Sequence, residues 1–465
     1  MRSLEIVLAF LALATAVLPR RWTGARIAAA LALLPVGAVH ATTEGWRWQM
    51  VPLYLVGSIL FAVAAWEMLS PAPDSQPSSV LGRSLGVLGL AAVVLIPAAV
   101  PVWELPEPTG PFGIGTVNTV MTDGDRVDPY DPSGRDRRLV VQFWYPAVPD
   151  DDALAEPWLS QLDVVGPSIA SAFGFPSFAL GHADLIKSHS YSQAAVAGVE
   201  SFPVVLYSHG WTGLRTNGLD QIEALVSHGF IVVAADHTYG AAATAFPDGE
   251  LVVYEPTALP EFGTVPDEEY DEAAVLLVAT YAADLHFILD ELQRLNGDPG
   301  WLLSGRLDLD RIGVFGHSTG GGAAVSACAT DGRCDAVAGL DPWVEPVPQE
   351  ILDGGIDIPF LAIRSAEWFE YDNDPVLQAF AGRSLRTDLL GLIGGGHQDF
   401  TVLPRFSAVS ALLDVKGSIG SDRASEIVNT YLVRFFDAQL NGGPDLSSDP
   451  LFEEVCVGLC EIPDG

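Results

Sequence analysis

Lysine is nearly missing from this 465-residue chain: Lys187 and Lys416 stand alone beside 21 arginines. Against 59 acidic side chains this leaves a formal net charge of −36. Such a balance excludes a nucleic-acid binder, because neutralising phosphates requires clustered Lys and Arg. Cysteine is scarce as well. The four, Cys328, Cys334, Cys456 and Cys460, all follow residue 320 and fall as two close pairs. No histidine stands at ligand spacing beside either pair, which argues against a zinc site. Either they form bridges Cys328–Cys334 and Cys456–Cys460 in an oxidising compartment, or they are free buried thiols. No internal repeat or long low-complexity tract is present.

Acids are themselves missing from the first 103 residues, which hold only Glu5, Glu44, Glu67 and Asp74 against six arginines, a net +2. The remaining 55 acids and 17 bases give the rest of the chain −38. A single homogeneous soluble domain is therefore excluded. Apolar runs occupy residues 4–18, 27–41, 50–66 and 84–103, with Trp46, Trp48, Tyr54, Trp66 and Trp103 near their ends. Crossing ~30 Å of hydrocarbon takes about 20 apolar residues, and aromatic side chains favour the two interfaces. The expectation is a membrane segment of about four helices over residues 1–104, with the bilayer as partner. The arginines Arg20, Arg21 and Arg26 put the first loop in the cytoplasm by the positive-inside rule. Four spans then place the N-terminus and everything after Trp103 outside, as a multi-pass cell-membrane protein with an extracytoplasmic domain. The alternative is a signal peptide cleaved after Ala14-Thr15-Ala16, which would leave three spans and translocate the arginine loop.

Residues 105–111 (LPEPTGP) read as a stiff linker, and 112–465 as one large domain. Residues 150–200, irregular and rich in Pro, Gly and Ser, are expected to form a lid or substrate loop. Strand-like runs at 137–146, 203–210, 230–237, 311–318, 335–341, 358–365 and 389–395 alternate with helical stretches such as 216–228 and 269–295. That alternation predicts an α/β class, a mostly parallel sheet with helices on both faces.

The sharpest motif is Gly316-His317-Ser318-Thr319-Gly320, set between the strand-like IGVF and the small-residue run GGAAVSACA. Strand, tight glycine turn and helix are what a nucleophile elbow requires. The turn exposes Ser318 Oγ, and the helix N-terminus offers N–H groups for an oxyanion. A serine needs a base, and in this architecture the order is Ser, then Asp or Glu, then His. His397, in GGGHQDF, is the sole histidine after Ser318. The acid stays open between Asp341, at the end of DAVAGLD, and Glu367, Glu370, Asp372 or Asp374, after the next strand. Beside the N–H of Thr319, the turn after PVVLYSHG would supply the second oxyanion donor, at Trp211. His209 in that turn reads as a structural hydrogen-bonder.

Taken in order, PVVLYSHGWTGLRT, SHGFIVVAADH, DLDRIGVFGHSTGGGAA, AGLDPWVEP and GGGHQDF resemble the platelet-activating-factor acetylhydrolase family of α/β hydrolases, over roughly residues 112–440. The resemblance implies the α/β-hydrolase fold and a serine esterase needing no metal or organic cofactor. It implies Ser318 as nucleophile, Asp341 as acid, His397 as base, and Trp211 and Thr319 as oxyanion donors. The substrates implied are lipid esters such as short-acyl phospholipids. Thr319 stands where the family commonly has an aromatic residue, and Trp211 where it has a smaller one, so acyl preference departs from the pattern. The apolar N-terminal segment is foreign to the familiar animal members. The competing readings are a cutinase-like lipase or polyester hydrolase, whose acid follows the later strand, and a non-catalytic membrane sensor with a hydrolase fold.

Overall fold

The computed structural model describes residues 1–18, 22–69, 80–413, 415–447, 449–458 and 460, with side chains of 80–85 left out. Arg20, Arg21 and Asp74, and the side chain of Arg83, which enter the loop-charge reading, lie outside the described residues. The chain forms two compact units. The first is Met1–Glu104 with Leu180–Ile186 and Arg405–Ser410; the second is the remainder.

The first unit is built on four helices, α1 (Ser3–Val17), α2 (Thr23–His40), α3 (Val51–Leu69) and α4 (Val80–Ala99). Leu8, Ala12, Leu33, Met50, Leu53 and Leu90 pack between them. One end is closed by a buried polar cluster. Arg47 donates to both oxygens of Glu5 at 2.7 Å and to the Pro97 carbonyl at 2.9 Å, tying α1 to the end of α4. Outward, the bundle shows Phe10, Leu55, Ile59, Trp66 and Leu88, each more than half exposed. An apolar exterior around a polar-capped interior inverts the usual soluble pattern. Thr23–Gly45 and Trp48–Leu69 are long and apolar enough to cross a membrane; α1 is shorter, as is the described part of α4 from Gly86. Length and composition thus single out two of the four expected spans.

The second unit is organised on one sheet of twelve strands. In chain order its elements are β1 (Gly113–Val127), β2 (Asp136–Val148), β3 (Ala155–Pro157), α5 (Leu162–Ala172), β4 (Lys187–Ser192), β5 (Ala195–Val196), β6 (Phe202–Ser208), α6 (Leu219–Ser227) and β7 (Ile231–Asp236). There follow a small hairpin of β8 (Ala243–Ala245) and β9 (Leu251–Val253), then α7 (Asp267–Asn296), β10 (Leu307–His317), α8 (Thr319–Thr330) and β11 (Ala336–Leu340). The chain closes with α9 (Gln349–Gly354), β12 (Pro359–Ser365), α10 (Asn373–Arg383), β13 (Arg386–Leu392), α11 (Ser421–Asn441) and β14 (Val455–Val457). The sheet runs β14-β13-β12-β11-β10-β6-β7-β2-β1-β4-β3, with β5 on β2. From β7 to β13 all neighbours are parallel, while β2 is antiparallel to both β1 and β7.

Period-2 alternation sorts the buried strands between two cores. Val204, Leu206, Ile312 and Val314 join Leu277, Val278 and Leu285 of α7 and Ala323 and Ala324 of α8. Phe315, one residue out of phase, meets Phe436 of α11 and Tyr207 on the other face. A Cβ on Gly313 would lie 2.4 Å from the Phe436 ring, so glycine lets α11 approach the sheet. A third helix, α7, is also apolar enough for a membrane by composition. Its buried stripe and its buried Asp284 make it a core helix of the sheet instead.

Residues 150–200 are more regular than expected, contributing α5 and β3, β4 and β5, because alternating residues such as Ser188 and Ser190 are buried where β4 pairs with β1. Both cysteine pairs are bridged, Cys328–Cys334 at the end of α8 and Cys456–Cys460 from β14 to just beyond its end.

A buried ion network joins β2 to α7. Arg137 donates to both oxygens of Asp284, at 3.0 and 2.6 Å, and to Asp128 at 2.8 Å. Asp284 also takes His237 Nδ1 at 2.9 Å, and His237 Nε2 meets Ser208 Oγ at 2.9 Å at the end of β6. Removing one partner of such a network strands the other charge, at about 3–5 kcal/mol. Asp284→Ala should therefore lower the melting temperature of the full-length protein by about 5 °C or more; an unchanged melting curve would show the network to be dispensable.

Candidate active site

The site is assembled where β6, β10, β11, β12 and β13 end. Ser318 links β10 directly to α8 and holds φ +55° and ψ −120°, a conformation that costs an L residue about 1–3 kcal/mol. What enforces it is the closeness of the chain on either side. A Cβ on Gly316 would meet the Gly320 carbonyl oxygen at 2.2 Å, and one on Gly320 the Ser208 oxygen at 2.1 Å. The Ser318 N–H donates to the Leu340 carbonyl at 3.0 Å. Its own carbonyl accepts from Gly321, Gly322 and Trp343 N–H groups, the last at 2.9 Å. The serine is thereby pinned to the loop that carries Asp341.

Asp341 follows β11, is fully buried, and has φ +44°. Three donors converge on its carboxylate: Ser365 N–H and Ser365 Oγ–H, both at 2.6 Å, and His397 Nδ1 at 2.9 Å. His397 lies just after β13 and is half-buried. With Nδ1 held by Asp341, Nε2 is the ring nitrogen that remains; among the described residues neither it nor Ser318 Oγ has a hydrogen-bond partner.

Of the sequence-stated rivals for the acid, none reaches the imidazole nitrogen. Glu367 accepts the backbone N–H of His397 at 2.7 Å, and Asp374 is paired with buried Arg364 at 2.9 Å. Burial pushes the Asp341 carboxyl up to about 7, against the two Ser365 bonds that favour its charged form. Burial also pushes the His397 imidazole down to about 4, with Glu367 opposing. Both shifts come from burial and disfavour the charged form of each group. The three donors aimed at Asp341 suit its carboxylate, the form that fixes the imidazole tautomer.

Trp211 and Thr319 flank the serine. Thr319 opens α8, where first-turn N–H groups lack helical acceptors. Trp211 follows Gly210, whose Cβ position lies 3.1 Å from Ser318 Cβ, so this turn abuts the serine. Among the described residues neither N–H has an acceptor. His209 is buried in the same turn, its Nδ1 donating to the Gly210 carbonyl at 2.7 Å and its Nε2 accepting the His237 N–H at 3.1 Å. It braces the turn, as its sequence context suggests.

Sequence reasoning missed His317 and Ser365. Buried His317 donates Nε2–H to the His397 carbonyl at 3.0 Å, and its burial holds it neutral, with the pKa lowered to about 3. No sequence signal distinguishes Ser365, since its role depends on β12 lying beside β11.

A profile of the family described as "Platelet-activating factor acetylhydrolase, isoform II" matches residues 98–253 and 300–449. Among curated proteins the chain is 25% identical over 256 residues to the platelet-activating factor acetylhydrolase of Cavia porcellus, covering 52% of this chain and 58% of that one. It is 24% identical over 370 residues to the enzyme of that name from Gallus gallus, covering 73% and 84%. A "probable 1-alkyl-2-acetylglycerophosphocholine esterase" of Arthroderma benhamiae is 22% identical over 380 residues, covering 73% and 88%. Among solved structures, a ferulic acid esterase from Streptomyces cinnamoneus superposes with a TM-score of 0.63 at 26% identity, over 77% of this chain and 99% of that one. The mixed sheet with helices on both faces and this esterase neighbour fit the α/β-hydrolase fold.

The glycine contacts carry a prediction. Gly320→Ala should cost at least about 1–3 kcal/mol, because α8 and β6 must part to admit a methyl group. Gly332→Ala, with nothing within 4 Å of the new carbon, should leave the melting temperature nearly unchanged. Equal melting temperatures for the two variants would contradict the packing described for the serine turn.

Proposed function

Since the chain belongs to the platelet-activating factor acetylhydrolase, isoform II family, we propose that it is a membrane-anchored serine ester hydrolase. Its substrates are lipid esters, with short-acyl phospholipids the leading class. The observation that carries this reading is the strained Ser318 turn set beside a buried Asp341–His397 pair at 2.9 Å.

In this mechanism Ser318 Oγ attacks the ester carbonyl while His397 Nε2 takes its proton. Asp341 keeps the other ring nitrogen protonated and stabilises the imidazolium that forms. The N–H groups of Trp211 and Thr319 receive the negative charge of the tetrahedral intermediate. His397 then protonates the departing alcohol, and water, activated by the same imidazole, clears the acyl group from Ser318. These steps draw on no metal or organic cofactor. Against the cutinase-type alternative stands the position of the acid after β11, with Glu367 occupied at the His397 backbone and Asp374 at Arg364.

The N-terminal helices serve as the anchor in this proposal, as a four-span bundle with the connection between α1 and α2 in the cytoplasm and the hydrolase domain outside. Its support is the outward apolar surface of the first unit and the two helices of sufficient length. The two bridges agree with an oxidising compartment.

Hydrolysis of p-nitrophenyl esters from acetate to palmitate by the full-length protein in detergent tests the reaction. Ser318→Ala should lower kcat by about 10³-fold or more at every chain length, as loss of a nucleophile does, and the wild type should prefer short acyl groups. Undiminished turnover by the variant would remove Ser318 from the chemistry, and a preference for palmitate would favour the lipase reading.

A further inference from the structure

The residues between β12 and α10 form a short 3-10 turn, Glu367–Glu370, which no step of the mechanism uses. It nevertheless touches His397 at more points than Asp341 does. Trp368, which is buried, lies parallel to the imidazole, with ring centroids 4.4 Å apart and 6° between planes. Glu367 Oε2 accepts the His397 backbone N–H at 2.7 Å, and its Oε1 accepts Tyr371 Oη–H at 3.3 Å. The Ala366 N–H donates to the Gly395 carbonyl at 3.0 Å, joining the turn to the His397 loop by backbone as well. Tyr371 in turn packs on Trp368 at 5.3 Å.

Resting on the reading of His397 as the base, we propose that Glu367 and Trp368 are positioning residues that set its placement, ring plane and basicity. Asp341 fixes one nitrogen of the ring but leaves rotation about that hydrogen bond open. A parallel indole face removes this freedom. As the base collects its proton, the electron-rich indole face also favours the imidazolium. Glu367 fixes the backbone from which the ring hangs and adds a negative charge beside it.

Every charged or titratable group facing His397 bears on the sign of that last effect. They are His317 from the end of β10, Asp341 from β11, Glu367 and Tyr371 from the turn after β12, and Asp399 within the His397 loop, with Lys416 behind it. Glu367 favours protonation of His397 and of Asp341 alike. Neutralising it therefore lowers the proton affinity of the pair wherever the proton resides. Because Glu367 is exposed, water screens its charge and the shift is modest.

The test is the pH profile of kcat/KM for p-nitrophenyl acetate, measured on the full-length protein in detergent. Glu367→Gln keeps a hydrogen-bond acceptor and removes the charge, so its acid limb should move to lower pH by about 0.5 unit with little change on the plateau. Glu367→Ala should show the same shift and, with the His397 N–H left without its acceptor, a kcat lower by about tenfold. Trp368→Leu should lower kcat by about tenfold at unchanged KM, with Trp368→Phe restoring most of the loss. An acid limb of Glu367→Gln superimposable on that of the wild type overturns the electrostatic role. A kcat undiminished in Trp368→Leu overturns the ring clamp. Ser318→Ala, run in parallel, separates these from a deeper failure: full activity in that variant overturns the catalytic reading itself.

Discussion

The approach of α8 to the ends of β6 and β10 is the constraint on which the site depends. With hydrogen atoms alone at Gly316 and Gly320, the backbone of the serine turn comes against the Ser208 and His209 carbonyls. Once that contact is made, Ser318 is held at positive φ. The same contact sets the Gly210–Trp211 turn against the serine, and the Trp343 N–H on the Ser318 carbonyl fixes the acid loop beside it. The candidate nucleophile and candidate acid are thus coupled through backbone hydrogen bonds, and the candidate oxyanion turn is held against them by close packing.

Several of the polar groups buried around this centre have partners within the protein. Asp341 collects three donors, His317 reaches the His397 carbonyl, and His209 is held between Gly210 and His237. Behind them the Arg137–Asp284–His237–Ser208 chain runs from β2 to the end of β6. Burying such groups is costly unless every hydrogen bond is met, and when met they define one geometry rather than several. The stacking of His237 on Tyr281 at 3.8 Å adds a rigid wall to the same region. The β6 turn is therefore held from within the core, while the His397 loop is held from the β12 side by Glu367 and Trp368.

Much of this was legible in the sequence because it is local. The glycines around Ser318 carry their own backbone meaning, the strand-like runs at 203–210, 311–318 and 358–365 are short and almost wholly apolar, and order along the chain isolates His397. What escaped depends on which segments become neighbours. β1 carries a polar TDGDR stretch and pairs at the sheet periphery, so it lacks the buried signature of the central strands. By position in the sequence alone Asp341 and Glu367 have similar credentials, and only the family resemblance favours Asp341; in the fold they differ because β11 and β12 lie side by side and bring Ser365 to one and the His397 backbone to the other. Helix α7 shows the converse, with enough apolar residues for a membrane span yet an Asp284 that only the folded sheet can accommodate.

Covalent labelling of the full-length protein with a fluorophosphonate, followed by mass spectrometry of the peptide spanning residues 311–333, tests most directly whether the strained serine is the nucleophile. A single adduct on Ser318, formed in the wild type and absent from His397→Ala at neutral pH, is the predicted result. No adduct on a folded protein, or an adduct on another residue that persists in Ser318→Ala, would contradict it.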